Sequence, residues 1–475
     1  MKEFVDTING YIWSQPLIIL CLAAGLYFSF ATRFLQVRHL KDMLKLLTNV
    51  QETKRGVSSF QALALSISGR VGTGNIAGVA SAIAHGGPGA VFWMWVIAFL
   101  GSATAYIEST LAQMYKIEQD GEYRGGPAYF IEKALGWKSY AVVFAIVTIA
   151  GVGFLLPGVQ ANSIAVAMNE AFNIDLQWAG IILVAVLALI IFGGVKRITH
   201  VAEFVVPFMA VAYILVALAV IGLNIEKVPE VFSLIIKSAF SIDATFGGIF
   251  GAAISWGVKR GIYSNEAGQG TGPHAAAAAE VDHPAQQGLV QAFSVYIDTL
   301  FICTATAFMI LVTQSYNVMD GNTMLVENLQ GVSAGPIFTQ QAVESTFSGF
   351  GSTFVAISLL FFAFTTIMAY YYIAETNVAY LTQTVDSKWP IIGLRCLLLF
   401  SVFYGTIKTA DVAWGLGDLG VGLMAWLNIV AILLLRKPAL RALKDFESQQ
   451  AKGEKPHFDA KDFGIEDPDN IWTSK

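Results

Sequence analysis

Apolar runs of about 20 residues recur from one end of this chain to the other, each long enough to cross roughly 30 Å of hydrocarbon as a helix. Lipid leaves such a run few other solutions, because every backbone N–H and C=O must be paired within the segment. Eleven spans can be read, at roughly 12–32, 58–84, 88–115, 138–168, 178–194, 200–222, 243–264, 285–314, 350–380, 389–407 and 410–435. Only 13% of the residues are charged and 55% are hydrophobic, about half the charged fraction of a soluble domain. The reading is an all-α polytopic membrane protein, and a soluble globular one is excluded.

Lysine and arginine alternate between loops. Arg33, Arg38, Lys41, Lys45, Lys54 and Arg55 follow the first span. Lys116, Arg124, Lys133 and Lys138 follow the third, and Lys196 and Arg197 the fifth. Lys259 and Arg260 belong to the seventh region, Lys388 follows the ninth span, and Arg436, Lys437 and Arg441 open the tail. The 315–349 stretch has none. The positive-inside rule then predicts an N-terminus outside and a C-terminus in the cytoplasm, which an odd span count allows. The start, MKEFVDTINGYIW, lacks the basic region of a signal peptide. Residues 441–475 read as a solvated, partly disordered tail. Cys21, Cys303 and Cys396 fall in apolar segments and read as small core residues.

One stretch departs from the apolar pattern. SISGRVGTGNIAG, residues 66–78, sets four glycines, an arginine and an asparagine near the middle of the 58–84 span. Each glycine weakens a helix by about 1 kcal/mol against alanine. Unpaired backbone in lipid costs several kcal/mol per group, so a break survives only against protein or a water-filled cavity. Freed carbonyls suit a cation, and the exposed N–H groups of the following half-helix suit a carboxylate. Glycines also serve close helix packing, but packing needs neither Arg70 nor Asn75. Residues 69–75 therefore read as a binding site. A second such segment, GGIFGAAISWGVKRG, occupies 247–261 in the seventh span. Spans two to six cover 58–222 and spans seven to eleven cover 243–435, with an interrupted span first in each set. Five spans per set reverse the second set's entry side, the layout of a five-plus-five inverted repeat. Residues 1–57 are then an extra N-terminal helix with its basic loop, and 436–475 a cytoplasmic tail.

Asp298 stands about thirteen residues into the eighth span. A membrane-centre carboxylate is a functional hypothesis by default. Pairing with Arg70 is the expected role, and direct cation binding the lesser one. Glu108, Glu203 and Glu375 lie nearer the cytoplasmic ends of their spans and read as interfacial or salt-bridged rather than catalytic. SNEAGQGTGPH, 264–274, reads as a cytoplasmic capping or gating loop. No strand precedes its glycines and no G-x-x-x-x-G-K-[ST] occurs, which argues against ATP. The six histidines are scattered without metal spacing, and no basic-aromatic surface suggests nucleic acid.

Four longer stretches carry a resemblance: GRVGTGNIAGVASAI, GGPGAVFWMW, WGVKRGIYSNEAGQGTGPHAAAAAE and QGLVQAFSVYIDTLFICT. They resemble the alanine or glycine:cation symporter family over nearly the whole chain. The resemblance implies sodium-coupled uptake of alanine or glycine across the bacterial inner membrane, with no catalysis and no organic cofactor. It also implies the leucine-transporter-like fold of the amino acid–polyamine–organocation superfamily. G-T-G-N is similar to the G-L-G-N break of bacterial sodium-coupled leucine transporters. By that likeness the N–H groups of Thr73 and Gly74, with Gly72 and Asn75 in the same turn, cradle the substrate carboxylate. The Asn75 side chain would bind one sodium. The carbonyls of Ser68 and Val71 would bind a second, with Thr365 and Thr366 from LLFFAFTTIMAYYY. Hydroxyls and carbonyls are the hard donors sodium requires, although each threonine could instead bond its own helix. Phe250, Gly251, Ser255 and Trp256 would line the pocket, Trp256 either limiting side-chain size or simply packing. Proton coupling through Asp298 and a glutamine-type substrate stay open; a channel and an intramembrane enzyme have less support.

Overall fold

Apolar length does become helix. The computed structural model describes residues 2–472 except 49–55, 120, 193–194, 244, 322 and 384–386. Lys54, Arg55 and the 193–194 end of the fifth span lie outside the described residues. Among the described residues, seven helices are long and apolar enough to cross a membrane: Gly89–Met114, Lys138–Phe172, Val201–Leu223, Pro284–Val312, Gly351–Leu381, Trp389–Thr406 and Ala410–Leu434. Lys2–Ile12 and Gln15–Ala31, bent by 44°, make an eighth if taken as one span. The eleven-span reading is larger because three of its members are short or interrupted. Ser59–Arg70 is followed by a break and Val79–Gly86, while Leu176–Ile191 and Phe250–Asn265 have 16 residues each.

Leu189, Phe204, Phe208, Leu215 and Leu218 are exposed, whereas Arg70, Glu108, Glu266 and Asp298 are fully enclosed. Apolar outside and charged inside is the arrangement a hydrocarbon solvent selects, and it makes this a multi-pass membrane protein. Gly351–Leu381 lies against Ser59–Arg70, Lys138–Ala150 and Pro157–Phe172; Gly89–Met114 lies against Phe250–Asn265 and Pro284–Val295. Those two long helices frame the site described below.

The fold is not purely helical. Ile117–Gln119 pairs antiparallel with Glu122–Arg124, and Asn317–Asp320 with Thr323–Glu327 around a bulge at Val318/Met319. Both hairpins lie in connections, where short strands pair the backbone locally. Cys21 and Cys303 are buried as expected, but Cys396 is exposed.

The tail is ordered, against the expectation of a solvated segment. Arg436–Ala451 is a helix that buries Ala439, Ala442, Leu443 and Phe446, and Phe458 and Trp472 are buried beyond it. The Phe458 N–H donates to the Asp282 carbonyl at 3.0 Å. The buried His283 ring sits 3.2 Å from the Asp445 carboxylate and packs on Phe446 and Phe458, and burial lowers its basicity. Lys116 donates to Ala279 O at 2.7 Å, with its ammonium 4.7 Å from the Trp472 ring centre. Burial pushes that ammonium down to about 7. A mixed-charge composition thus conceals three well-spaced aromatics that supply the apolar area for docking.

Helix approach is close where Pro157–Phe172 crosses Trp389–Thr406. A Cβ on Gly405 would lie 2.2 Å from the Gly158 carbonyl oxygen, whereas one on Gly251 would meet nothing within 4 Å. Gly405→Ala is expected to force the crossing apart at about 1–3 kcal/mol and lower the thermal midpoint in detergent. Gly251→Ala should hold or raise it. Equal midpoints for the two variants would contradict this packing.

Candidate functional site

Ser58 opens the first interrupted helix with a capping box, accepting from the Gln61 N–H at 3.1 Å while Gln61 Oε1 accepts from the Ser58 N–H at 3.0 Å. The helix stops at Arg70, Val71 is extended, and a π-helical turn, Gly74–Gly78, leads into Val79–Gly86. Every residue from 62 to 84 is buried, so the freed backbone must be paired by protein. Asn75 Oδ1 accepts from the Gly72 N–H at 2.9 Å, and Gln160 Oε1 accepts from the Thr73 N–H at 3.0 Å. Thr366 Oγ1 is 2.8 Å from Ser68 O, 3.3 Å from Val71 O and 3.0 Å from Phe362 O. One hydroxyl proton cannot serve three carbonyls, which leaves an oxygen-rich corner suited to a hard monovalent cation. Thr365 is not brought to the break, because its hydroxyl bonds Phe362 O of its own helix at 2.9 Å. A Cβ on Gly72 would stand 2.4 Å from Thr366 Oγ1 and 2.9 Å from Gln160 Oε1, so only glycine fits.

Asp298 occupies a π-helical segment, Tyr296–Cys303. Its carboxylate accepts from Asn75 Nδ2 at 2.6 Å, Thr299 Oγ1 at 2.6 Å and Ser264 Oγ at 3.0 Å. The expected Arg70–Asp298 ion pair is not formed: Arg70 Nη1 donates to Ser294 Oγ and, at 3.3 Å, to Gln291 O. Past the break the chain turns Asn75, and not Arg70, toward Asp298. Both polar ends of Asn75 are thereby engaged, so it could bind sodium only by exchanging those bonds.

The second break is displaced from its expected place. Phe250–Asn265 is continuous, and the helix is interrupted at 266–271, where Glu266, Gly268 and Gly270 take φ of 57°, 84° and 87°. Gly272–Ala278 follows. Residues 260–279 are all buried, which corrects the cytoplasmic-loop reading of SNEAGQGTGPH. Glu108 is enclosed rather than interfacial: Oε1 accepts from the Gly268 N–H at 3.2 Å and Oε2 from Asn428 Nδ2 at 2.7 Å. Asn428 also donates to Gly268 O at 3.0 Å. The two interrupted helices touch, since a Cβ on Gly74 would lie 3.1 Å from Ser264 Cα.

Four expected pocket residues lie elsewhere. Phe250 is 39% exposed and Gly251 is exposed beside it. Ser255 and Trp256, about 15 Å up the helix from Asn265 at 1.5 Å per residue, line a separate cavity of about 230 Å³ with Asn9, Trp13 and Lys259. Trp256 stacks on His85 there at 4.6 Å. Lys259 and Arg260 are not loop charges; each lies 2.6 Å from the Asp418 carboxylate inside the bundle. Gln160, Ser264, Glu266 and Asn428 were not anticipated as site residues. Gln160 and Asn428 carry the one signal of a polar side chain inside an apolar run, whereas Ser264 and Glu266 sit in a stretch with the composition of a turn.

A bundle with an apolar exterior, and with two interrupted helices meeting over buried carboxylates, is a membrane transporter. The chain belongs to the sodium:alanine symporter family, whose profile matches residues 1–460. It is 61% identical to YrbD of Bacillus subtilis, a proposed sodium/proton-dependent alanine carrier, over 100% of this chain and 98% of that one. The proposed sodium/glutamine symporter GlnT of the same organism is 44% identical over 96% and 93%. The sodium/alanine symporter AgcS of Methanococcus maripaludis is 37% identical over 94% and 97%.

Gln160→Leu leaves the Thr73 N–H buried and unpaired, a loss of about 1–3 kcal/mol. Its thermal midpoint in detergent should fall clearly. A wild-type midpoint in the leucine variant would show that Gln160 does not hold the break.

Proposed function

We propose that this protein is a sodium-coupled symporter that imports a small neutral amino acid, alanine or glycine, by alternating access. It needs no covalent chemistry and no organic cofactor. The observation that carries the reading is the Thr366 hydroxyl from Gly351–Leu381 meeting the freed Ser68 and Val71 carbonyls across the first break. Sodium takes the place of those hydrogen bonds, with Thr365 joining by a rotamer change, and ties the long helix to the interrupted one. The substrate carboxylate exchanges with Gln160 Oε1 at the Thr73 N–H and extends to the Gly74 N–H, beside Gly72 and Asn75. Tyr263 and Ser264 approach Gly74 closely and form a tight wall, which favours a small side chain over a large one. This wall takes the role first given to Phe250, Gly251, Ser255 and Trp256.

The same reading counts eleven spans, the short and interrupted ones included, with 58–222 and 243–435 as inverted repeats. One break in the first helix of each set, at 71–73 and 266–271, supports it. The N-terminus is outside and the C-terminus cytoplasmic by the loop charges that remain once Lys259 and Arg260 are set aside. Proton coupling is the second reading, favoured by the direct bond from Asn75 to Asp298: protonation would turn one acceptor oxygen into a donor and release Asn75. The name of GlnT keeps glutamine as an alternative substrate.

Purified protein in liposomes should accumulate labelled alanine above equilibrium under an inward Na⁺ gradient and not under an equal K⁺ gradient. Thr366→Ala and Asn75→Ala should each lose about tenfold or more, the equivalent of roughly 1.4 kcal/mol. Uptake that follows a pH gradient and ignores Na⁺ would transfer the coupling to Asp298. Glutamine uptake without alanine uptake would overturn the substrate alone.

A further inference from the structure

Three carboxylates are enclosed around the two breaks, and they are not equally satisfied. Asp298 has three hydrogen-bond donors, and Glu108 has the Gly268 N–H and the Asn428 amide. Glu266 Oε1 is buried without any donor. The positive φ of 57° at Glu266 turns its side chain toward the first break, where a Cβ on Gly69 would lie 3.4 Å from Oε2 and 3.7 Å from Oε1. Ser66, Gly69, Glu266, Thr271 and Gly272 line a cavity of about 10 Å³ against Ala369, the size of one water-sized occupant. Thr271 stands beside the Glu266 carboxylate, yet neither Glu266 Oε1 nor Thr271 Oγ1 closes a hydrogen bond.

Charge points the same way. Arg70 lies within Coulombic reach of Glu108, Glu266 and Asp298; with all three carboxylates ionised, one positive charge against three negative leaves a sum of −2. Enclosed charge of that size calls for compensation. The other titratable groups around the site are the phenols of Tyr263, Tyr370 and Tyr372 and the His274 ring. His274 Nδ1 faces the Thr271 carbonyl at 3.0 Å and Nε2 faces the Asn377 amide nitrogen at 2.8 Å, the pairing of a neutral imidazole, so none of these groups supplies a cation. One cation over the Ser68 and Val71 carbonyls and one at Glu266 bring the sum to zero.

We propose that Glu266 and Thr271 form a further monovalent-cation site at the second break, one helical turn along Gly351–Leu381 from Thr366. Sodium and a proton share the required chemistry, a compact positive charge for a carboxylate with an unsatisfied oxygen. The site rests on the sodium-coupled reading for its physiological ion but uses none of the same residues.

The test is thermal unfolding of the purified full chain in detergent, with NaCl replacing choline chloride at constant ionic strength, from pH 5.5 to 8.5. Stabilisation grows with ln[Na⁺] in proportion to the number of ions bound. If sodium occupies the site, the wild-type slope should fall by about half in Glu266→Gln. If a proton occupies it, the sodium slope should persist, while the wild type's loss of stability with rising pH, expected because unfolding releases that proton, should flatten in the variant. An unchanged slope together with an unchanged pH profile overturns the proposal. Should Glu266→Gln not fold, Thr271→Val reads the same site. It should raise the sodium concentration needed for half-maximal stabilisation several-fold, or shift the pH profile, and leaving both as in the wild type overturns the proposal. Thr366→Ala separates the two readings. A slope that falls there but not in Glu266→Gln, with the pH profile intact, removes only the new site. A wild type that sodium does not stabilise removes the sodium reading itself.

Discussion

Two interruptions of the helical backbone, 71–73 and 266–271, persist inside the bundle because side chains from other helices pair them. Lipid offers no hydrogen bonds, so each freed N–H or C=O must find a partner within the protein. Gln160 and Asn75 take the N–H groups of the first break, and Thr366 meets its carbonyls. Glu108 and Asn428 hold Gly268 at the second. These partners come from helices far apart in the chain. The long helices are therefore placed by the breaks as much as the breaks are held by the helices.

The same scarcity of solvent governs the charges. Asp418 gathers Lys259 and Arg260, and the Arg260 guanidinium also lies 4.4 Å from the Trp414 ring centre. Such a cluster is tolerable in a low dielectric because each charge has a close partner. Around the breaks the partners are weaker. Asp298 rests on neutral donors and Arg70 on a carbonyl and a hydroxyl. Bonds of that kind exchange for a bound ion or a substrate carboxylate more readily than tight ion pairs do.

The breaks are also linked at one end of the bundle. The Val57 N–H donates to Ala278 O at 3.0 Å and the Glu280 N–H to Val57 O at 2.9 Å. The start of the first interrupted helix is thus tied to the end of the second. The ordered tail closes over the same linker through Phe458, His283 and Lys116. A shift in either interrupted helix must pass through these contacts, so the two move together or the linkage opens.

Apolar run length and the glycine-broken GRVGTGN were legible because both act locally: length decides whether a helix can span, and glycine weakens the helix where it stands. Long helices such as Gly351–Leu381 and Ala410–Leu434 accordingly fall within a residue or so of their expected bounds. The second break was misplaced because NEAGQGTG has the composition of a solvated turn, and nothing local says that Glu108 and Asn428 will enclose it. Arg70 and Asp298 share a depth but not a contact, a matter of how the break rotates the chain. The tail's order likewise hangs on where Phe446, Phe458 and Trp472 land. Membrane class and the existence of a break can be read along the chain, because backbone in lipid responds to each segment's own composition. Which polar groups meet emerges once the helices are packed, because a hydrogen-bond partner is chosen in space and not along the chain.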